Sequence, residues 1–192
     1  MITRSLDKDI KWFDELILST NRPGSADLLN WLHTTDFFTA PASTRFHESY
    51  KGGLVEHSLR VYLELRLLVD MYADKTPRDS VIICGLLHDV CKANFYSETT
   101  RNVKKNGVWT TEPFYKVDEQ YSFGGHGSKS VYLVHKYVAI TDDEAAAINT
   151  HMGAQGNDYS CYETYRKIPL AMLLHTADMI ATCKNIRQEL HN

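Results

Sequence analysis

The spacing of apolar residues predicts a chain built mainly from helices. Apolar residues recur every three or four positions along residues 5–19, which is typical of an amphipathic helix. A short second helix is expected from Ser25, and a long one over residues 54–73 behind the pair Gly52-Gly53. The nearly all-apolar segment from residue 79 to residue 92 indicates a helix that is buried on most sides.

The second half of the chain predicts further helices and one β-hairpin. Asn106-Gly107 separates two β-prone runs, which favours a hairpin over about residues 95–120. Helices are expected over residues 128–139, 141–151 and 170–190, with a polar, Gly-containing loop before the last of them. The pattern as a whole predicts an all-α fold, a bundle of about seven helices with one inserted hairpin.

Length and composition point to one globular unit. The chain has 192 residues, which is the size of a single domain. We expect a helical N-terminal extension over residues 1–44, a core over residues 45–190, and the hairpin inserted into that core. With 21 Lys and Arg against 24 Asp and Glu the net charge is −3, so no general positive field is available to hold a polyanion.

Two further features bear on the cellular setting. No apolar run approaches the roughly 18–20 residues of a membrane span, and the N-terminal residues carry charges instead of an apolar leader, so we expect a cytoplasmic protein without a membrane partner. The oligomeric state is left open. The four cysteines are scattered and form no C-x-x-C pair, which favours reduced thiols over disulfides.

Ionisable residues interrupt three of the apolar helices. His88 and Asp89 end the most apolar segment, Asp178 lies among apolar residues of the last helix, and His57 lies in the first turn of the long helix. Burying such groups is costly unless they pair with one another or bind a cation. Imidazoles and carboxylates converging between helices form a mixed ligand set for divalent metals, and His126 and His151 would complete a second position. Taken singly, each histidine is more often an ordinary core or surface residue.

The order of these residues resembles the HD-domain superfamily of metal-dependent phosphohydrolases. The matching segments are Gly52-Gly53-Leu54-Val55-Glu56-His57, Leu86-Leu87-His88-Asp89-Val90-Cys91-Lys92 and His175-Thr176-Ala177-Asp178. His126 and His151 are similar to the additional histidines of the two-metal members, among them the HD-type 3′–5′ exoribonucleases and the HD-GYP phosphodiesterases. The resemblance extends from Arg45 to about Thr182, and no Gly-Tyr-Pro signature follows the His-Asp motif.

The resemblance implies a centre of two divalent ions, drawn from Mn²⁺, Fe²⁺, Co²⁺, Ni²⁺ and Mg²⁺. The first ion is expected on His57, His88, Asp89 and Asp178. Asp89 is expected to bridge to a second ion, which His126 and His151 hold.

The resemblance also assigns roles to residues near these ligands. Asp89 and Lys92 are the expected catalytic residues, since Lys92 matches a lysine that faces the substrate phosphate in many members. Cys91 stands where glycine is usual, and this is the clearest departure from the family pattern. His175 lies one turn before Asp178, and we expect it to support a ligand rather than to bind a metal.

General chemistry leads to the same reaction. Two divalent ions about 3.5–4 Å apart can activate a bridging water and clamp phosphoryl oxygens, so hydrolysis of a phosphate ester needs no protein nucleophile. Lys92 would add positive charge to the transition state. Arg45, His47 and Lys51 are candidates to hold a non-reacting phosphate, although exposed basic residues are equally common as solvated charges.

The hairpin region suggests the class of substrate. Aromatic and basic side chains alternate there, an arrangement that binds single-stranded nucleic acid by stacking. They are Phe95, Tyr96, Trp109, Phe114, Tyr115, Tyr121 and Phe123, with Arg101, Lys104, Lys105 and Lys116. The same aromatics could equally pack the hairpin onto the helices, because an isolated hairpin is marginally stable.

Three functions therefore remain open. The preferred one is a phosphodiesterase acting on a nucleotide or on the 3′ end of a single-stranded nucleic acid, because of the similarity to the exoribonucleases and the full two-metal set. The alternative is a nucleotide phosphomonoesterase of the 5′-nucleotidase or dNTP hydrolase type. A non-catalytic nucleotide-sensing module is the third, and the complete ligand set speaks against it.

Overall fold

The computed structural model describes residues 5–44, 48–73, 75–118, 123–154 and 160–189, with side chains up to residue 183. Within these residues the chain forms eight α-helices and one two-stranded antiparallel sheet. The helices are α1 (Leu6–Ser19), α2 (Ser25–His33), α3 (Gly53–Tyr72), α4 (Arg78–Leu87), α5 (His126–His135), α6 (Asp142–Thr150), α7 (Ser160–Lys167) and α8 (Pro169–Glu189). The strands are β1 (Tyr96–Lys105) and β2 (Val108–Val117). The predicted all-α class with an inserted hairpin is confirmed.

Helices α3, α4 and α8 form the centre of the fold, and α6 packs against α4 and α8. Every residue of α4 from Ser80 to Leu87 is buried, as its apolar sequence predicts. Gly85 permits this packing, because a Cβ atom there would lie 2.7 Å from the Cα of Tyr62 on α3. The polar residues that follow α4 are therefore delivered into the interior and not to the surface.

The N-terminal helices are part of the same apolar core. Phe13 of α1 and Leu28 of α2 are fully buried in it. Arg22, in the connection between these helices, donates to Asp79 (2.7 Å) and to Glu144 (2.7 Å). Glu144 also closes a capping box with Thr141 at the start of α6. One arginine thus ties the α1–α2 connection to α4 and α6.

The hairpin has the predicted turn. Tyr96 pairs with Val117 at its base, and Lys105 pairs with Val108 beside the turn. Asn106 and Gly107 both have positive φ, at 49° and 84°, as a tight two-residue turn requires. Near the turn the side chains are exposed, whereas Phe95 at the base is buried. The hairpin therefore extends outward from a fixed root.

Three elements differ from the sequence expectation, and one of them is α5, which covers His126–His135 where a helix over residues 128–139 was expected. Helix α4 ends at Leu87 and not near residue 92, because a turn at His88-Asp89 leads into a 3₁₀ helix, Val90–Lys92. The polar segment before α8, which was expected to be a loop, contains α7. The sequence of this helix has no apolar stripe, and Cys161 is the residue that it buries. None of the described helices is long and apolar enough to cross a membrane.

Candidate metal centre

Five of the six predicted metal ligands meet in one buried cluster between the helices. His57 lies on the first turn of α3, His88 and Asp89 follow α4, His151 follows α6, and Asp178 lies in the middle of α8. The ligand atoms of His57, His88 and Asp89 all lie within 4.8 Å of one another, as do those of His88, His151 and Asp178. Residues more than 120 positions apart in the chain are thus brought to one point.

The two histidines after helix ends are held by backbone carbonyls. Nδ1 of His88 donates to the carbonyl of Gly85 (3.0 Å), and Nδ1 of His151 donates to the carbonyl of Ile148 (2.7 Å). Each ring therefore turns its Nε2 atom toward Asp89, at 3.6 Å and 3.5 Å. Burial lowers the pKa of His88 to about 4, so its imidazole is neutral at physiological pH. A neutral imidazole is the form that binds a metal.

Asp89 occupies the centre of the cluster. Its Oδ2 atom accepts from the Lys92 ammonium at 2.6 Å and faces His57 and His88 at 3.9 Å and 3.6 Å. Its Oδ1 atom faces His151. Although burial opposes ionisation, Lys92 and the neighbouring imidazoles hold the pKa of the Asp89 carboxyl well below its usual range. The two oxygens of the buried Asp89 carboxylate thus face different residues of the cluster.

His57 and Asp178 form the third side. Nε2 of His57 lies 3.1 Å from Oδ1 of Asp178. Burial disfavours the charged carboxylate, but hydrogen bonding from His57 and the charge of His88 lower the pKa of Asp178 overall. Asp178 therefore carries a negative charge beside two imidazoles, and such a mixed set suits a divalent ion.

Glu48 is a buried acid that the sequence did not single out. Its Oε2 atom lies 3.7 Å from Nδ1 of His57, and its other oxygen lies 3.3 Å from Arg60. The backbone of Glu48 passes so close to α3 that a Cβ atom at Gly53 would lie 2.0 Å from its carbonyl oxygen. A carboxylate behind a histidine orients the ring of a metal ligand. The segment has no hydrophobic period, and only Gly52-Gly53 hinted at a close approach there.

Lys92 is buried and directed to the cluster. Its ammonium donates to Asp89 and, at 2.8 Å, to the carbonyl of Ala42. Burial works against its charge, but Asp89 raises the pKa of Lys92 above its usual value. The Cys91 residue before it does not displace this lysine from the site.

His126, the sixth predicted ligand, pairs with Cys91 in the structure. Nδ1 of His126 lies 3.4 Å from Sγ of Cys91, and these two side chains with Asp89 form a third group whose ligand atoms lie within 4.8 Å of one another. His151 belongs instead to the group with His88 and Asp178. The expected pairing of His126 with His151 on one ion stays a prediction.

His175 supports the cluster from outside. Its Nδ1 atom lies 2.7 Å from the carbonyl oxygen of His151, and its ring stacks on Tyr165. The Tyr165 hydroxyl donates to the neighbouring carbonyl of Thr150 at 2.6 Å. Both side chains hold the end of α6, which carries His151. The supporting role expected for His175 stays a prediction.

A cavity of about 700 Å³ lies between the hairpin and the segment before α3. Lys51, Arg101 and Tyr115 are among its lining residues. Tyr96 connects the cavity to the cluster, since its ring contacts Tyr115 and its hydroxyl donates to the same Ala42 carbonyl that binds Lys92. Of the predicted contact residues, Arg45, His47 and Tyr121 lie outside the described residues.

The donor set suits a divalent ion. Nε2 of His88 and Oδ1 of Asp89 are buried and have no hydrogen-bond partner among the described residues. Leaving such atoms unsatisfied is expensive, and a cation would satisfy both. The fit rests on three imidazoles and two carboxylates within a single buried cluster.

Comparison with known proteins agrees with this arrangement. Residues 54–182 match the HD domain, a region that covers more than half of the chain and includes all six predicted ligands. The dihydroneopterin 2′,3′-cyclic phosphate phosphodiesterase of Methanocaldococcus jannaschii is 39% identical over 61 residues, which span 30% of this chain and 24% of that protein. No solved structure shows a significant match. The chain therefore belongs to the HD domain family, as the order of its histidines and aspartates had indicated.

Proposed function

We propose that this chain is a metal-dependent phosphodiesterase that hydrolyses a nucleotide-like phosphodiester. The observation that carries the proposal is the buried cluster of His57, His88, Asp89, His151 and Asp178 in a chain of the HD domain family. The relative named as a cyclic phosphate phosphodiesterase supports a diester over a monoester, within the short segment that the two chains share.

The residues of the cluster would hold the metal. His57, His88, Asp89 and Asp178 are the proposed ligands of a first divalent ion, with His151 beside them. Asp89 is proposed to bridge to a second ion near His126. Ions bound there supply Lewis acidity and lower the pKa of water to near neutrality. The carbonyls of Gly85 and Ile148 fix the orientation of the His88 and His151 rings, and the Glu48 carboxylate lies 3.7 Å behind the His57 ring.

Lys92 is proposed to bind the phosphoryl group. Its ammonium is already held at the cluster by Asp89 and the Ala42 carbonyl, so it needs no rearrangement to face an anion there. A fixed cation in a dry site stabilises developing negative charge more strongly than a solvated one does. The Lys92 ammonium has three donors. It can therefore pair with Asp89 in the ground state and also with an additional anionic oxygen in the transition state.

The cavity beside the hairpin is proposed to bind the rest of the substrate. Its aromatic wall at Tyr115 and Phe114 suits a base, and the Arg101 guanidinium lies over the Phe114 ring at 5.6 Å. Lys51 lines the same cavity, which fits its expected contact with a non-reacting phosphate. Stacking on an aromatic surface contributes roughly 1–3 kcal/mol per base.

The test is hydrolysis of a substrate panel by protein reconstituted with Mn²⁺. The panel contains a nucleoside 2′,3′-cyclic phosphate, a cyclic dinucleotide, end-labelled single-stranded RNA and DNA, and nucleoside monophosphates. We expect turnover of at least one diester, and Asp89→Asn should remove it because the variant lacks the bridging charge. Asp70→Asn, which changes an exposed carboxylate on the same helix as His57, is the matched control and should retain full activity.

The panel also separates the competing functions. Release of inorganic phosphate from the monophosphates alone would replace the proposal with the nucleotidase alternative. Cleavage confined to the labelled strands would identify a nucleic-acid 3′ end as the substrate. Absence of Asp89-dependent turnover on every member, in protein that retains metal and the wild-type unfolding temperature, would contradict the phosphodiesterase proposal.

A further inference from the structure

Cys91 is the clearest departure of the His-Asp motif from the pattern of the family that the sequence resembles, and the structure gives it a specific neighbour. Its Sγ atom lies 3.4 Å from Nδ1 of His126, although the two residues are 35 positions apart. Both belong to the group of possible ligand atoms that includes the Asp89 carboxylate. Cys91 is buried, and its backbone N–H donates to the Ser130 hydroxyl at 3.2 Å, which fixes the residue in place.

The spacing of these atoms fits a shared metal ion. Zinc binds sulfur at about 2.3 Å and imidazole nitrogen at about 2.0–2.1 Å, so a tetrahedral angle places the two donors about 3.5 Å apart. The observed Sγ to Nδ1 distance is 3.4 Å. The Cys91 sulfur and the His126 nitrogen are therefore already spaced to bind one ion once the Cys91 thiol has lost its proton.

A second observation points to a ligand at this position. The Oδ1 atom of Asp89 is buried, belongs to a side chain that is 97% shielded from solvent, and has no hydrogen-bond partner among the described residues. The Oδ2 atom already has the Lys92 ammonium. Oδ1 faces Nε2 of His151 only at 3.5 Å, so a cation at this cluster would satisfy this oxygen better.

His126, one of the three donors, also borders open space. A cavity of about 290 Å³ is lined by His126, Ser128, Asn149 and Cys161, among others. A metal held by three protein donors at its edge would keep room for water or a substrate oxygen, as in catalytic and not structural sites.

We propose that Cys91, as a thiolate, joins His126 and Asp89 as a ligand of the second metal position, and that this position selects a borderline-soft ion such as Zn²⁺, Co²⁺ or Fe²⁺ over Mg²⁺. The inference rests on the proposed metal centre and adds to it a sulfur donor. The thiol proton is released to water as the metal–sulfur bond forms, so binding consumes no other reactant. Thiolate favours softer ions because Mg²⁺ prefers oxygen ligands.

The test is the absorption spectrum of the protein titrated with Co²⁺ under anaerobic conditions. A cobalt–thiolate bond gives an intense charge-transfer band in the near ultraviolet, whereas nitrogen and oxygen ligands give only the weak visible bands. We expect the near-ultraviolet band in the wild-type protein and its loss in Cys91→Ala. Cys84→Ala, a change of an equally buried cysteine on α4, and Cys183→Ala, a change of an exposed one, should keep the band.

X-ray absorption of the Zn²⁺-loaded wild-type protein provides a measurement that needs no variant. A single sulfur scatterer at about 2.3 Å from zinc is expected. Its absence would overturn the inference even if Cys91→Ala failed to fold.

The outcomes separate this inference from the proposed function. Visible cobalt bands without a thiolate band would overturn the role of Cys91 and leave the metal centre intact. No cobalt bands at all would overturn both the metal centre and the sulfur ligand. A thiolate band that persists in Cys91→Ala would assign it to another cysteine and so overturn the inference as well.

Discussion

The two ends of the candidate site differ in how firmly they are held. In the metal cluster, His57, His88 and His151 are wholly buried, and backbone carbonyls hold the rings of His88 and His151. At the hairpin, Trp109 is 68% exposed and the strand around it has no buried residue from Val108 to Thr111. A buried, preorganised cluster suits bond breaking, whereas a solvated hairpin suits recognition of variable groups. Changes in the first region should affect turnover or folding, and changes in the second should affect substrate affinity.

The largest effect is expected from Lys92→Met, which removes the buried ammonium and keeps the length of the side chain. Loss of one preorganised donor to a developing anion typically costs about 10²–10³-fold in kcat. We expect a fall of that size in kcat on any diester that the wild-type protein hydrolyses, with a smaller change in KM. Lys136→Met, on an exposed lysine beyond the end of α5, serves as the control. A change confined to KM would show that Lys92 acts in binding and not in the transition state.

The buried helical region should also dominate stability, and the Arg22–Glu144 pair tests this. The side chain of Glu144 is fully buried, and removing one partner of a buried pair costs about 3–5 kcal/mol. For Glu144→Gln we expect a loss near 3 kcal/mol in the free energy of unfolding at pH 7, because Arg22 keeps its contact with Asp79. Equilibrium unfolding in denaturant measures this loss in the free energy of unfolding. Glu163→Gln, in an exposed pair on α7, should cost less than about 1 kcal/mol.

The same pair predicts a pH dependence with a defined sign. Burial opposes the charge of Glu144, but hydrogen bonding from Arg22 lowers its pKa overall below the ordinary value of 4.5. A depressed carboxyl pKa stabilises the folded state above the unfolded-state pKa, and this contribution is lost as the pH falls. The difference in unfolding free energy between the wild-type protein and Glu144→Gln should therefore narrow below about pH 4.5. A difference that stayed constant at lower pH would contradict the proposed ion pair.

A smaller effect is expected from Glu48→Gln, which keeps the shape of the residue behind His57 and removes its charge. Changes to a residue that orients a metal-binding histidine typically cost about 10–100-fold in metal affinity. We expect a loss of that size in calorimetric titration for the ion that His57 is proposed to hold. Glu56→Gln is a matched control, because Glu56 pairs with the same Arg60. Equal losses in both variants would assign the effect to Arg60.

Much of this arrangement could be predicted from the sequence because local signals were strong. Asn106-Gly107 specified the hairpin turn, and the apolar run before His88 specified a buried helix. The ordered motifs placed five predicted ligands that the fold indeed brings together. The hairpin and helix signals work because each depends on neighbouring residues or on the period of one element, whereas the ligand set was implied by the resemblance to the HD-domain superfamily.

The parts that were missed depend on contacts between distant segments. Glu48 itself has a positive φ and lies in a segment without hydrophobic periodicity. No local pattern in the sequence therefore marks its proximity to His57. The contact between Cys91 and His126 joins a 3₁₀ turn to the start of α5. Helix α7 is short and mostly exposed, so its sequence reads as polar loop. Tertiary packing decides each of these, and periodicity carries no information about it.

The smallest expected effect belongs to the hairpin, through Arg101→Ala. Arg101 lines the cavity and lies over Phe114, so its loss should raise KM for nucleotide diesters three- to ten-fold, or roughly 1 kcal/mol, while kcat and stability stay unchanged. Arg66→Ala is the matched control, since Arg66 lies over Tyr62 at 5.9 Å on α3, away from the hairpin. Methyl p-nitrophenyl phosphate, which carries no base, should show no KM change in Arg101→Ala. An equal rise in KM for this small diester would indicate that Arg101 binds the phosphate. A fall in kcat would contradict the assignment of turnover to the metal cluster and of substrate affinity to the hairpin.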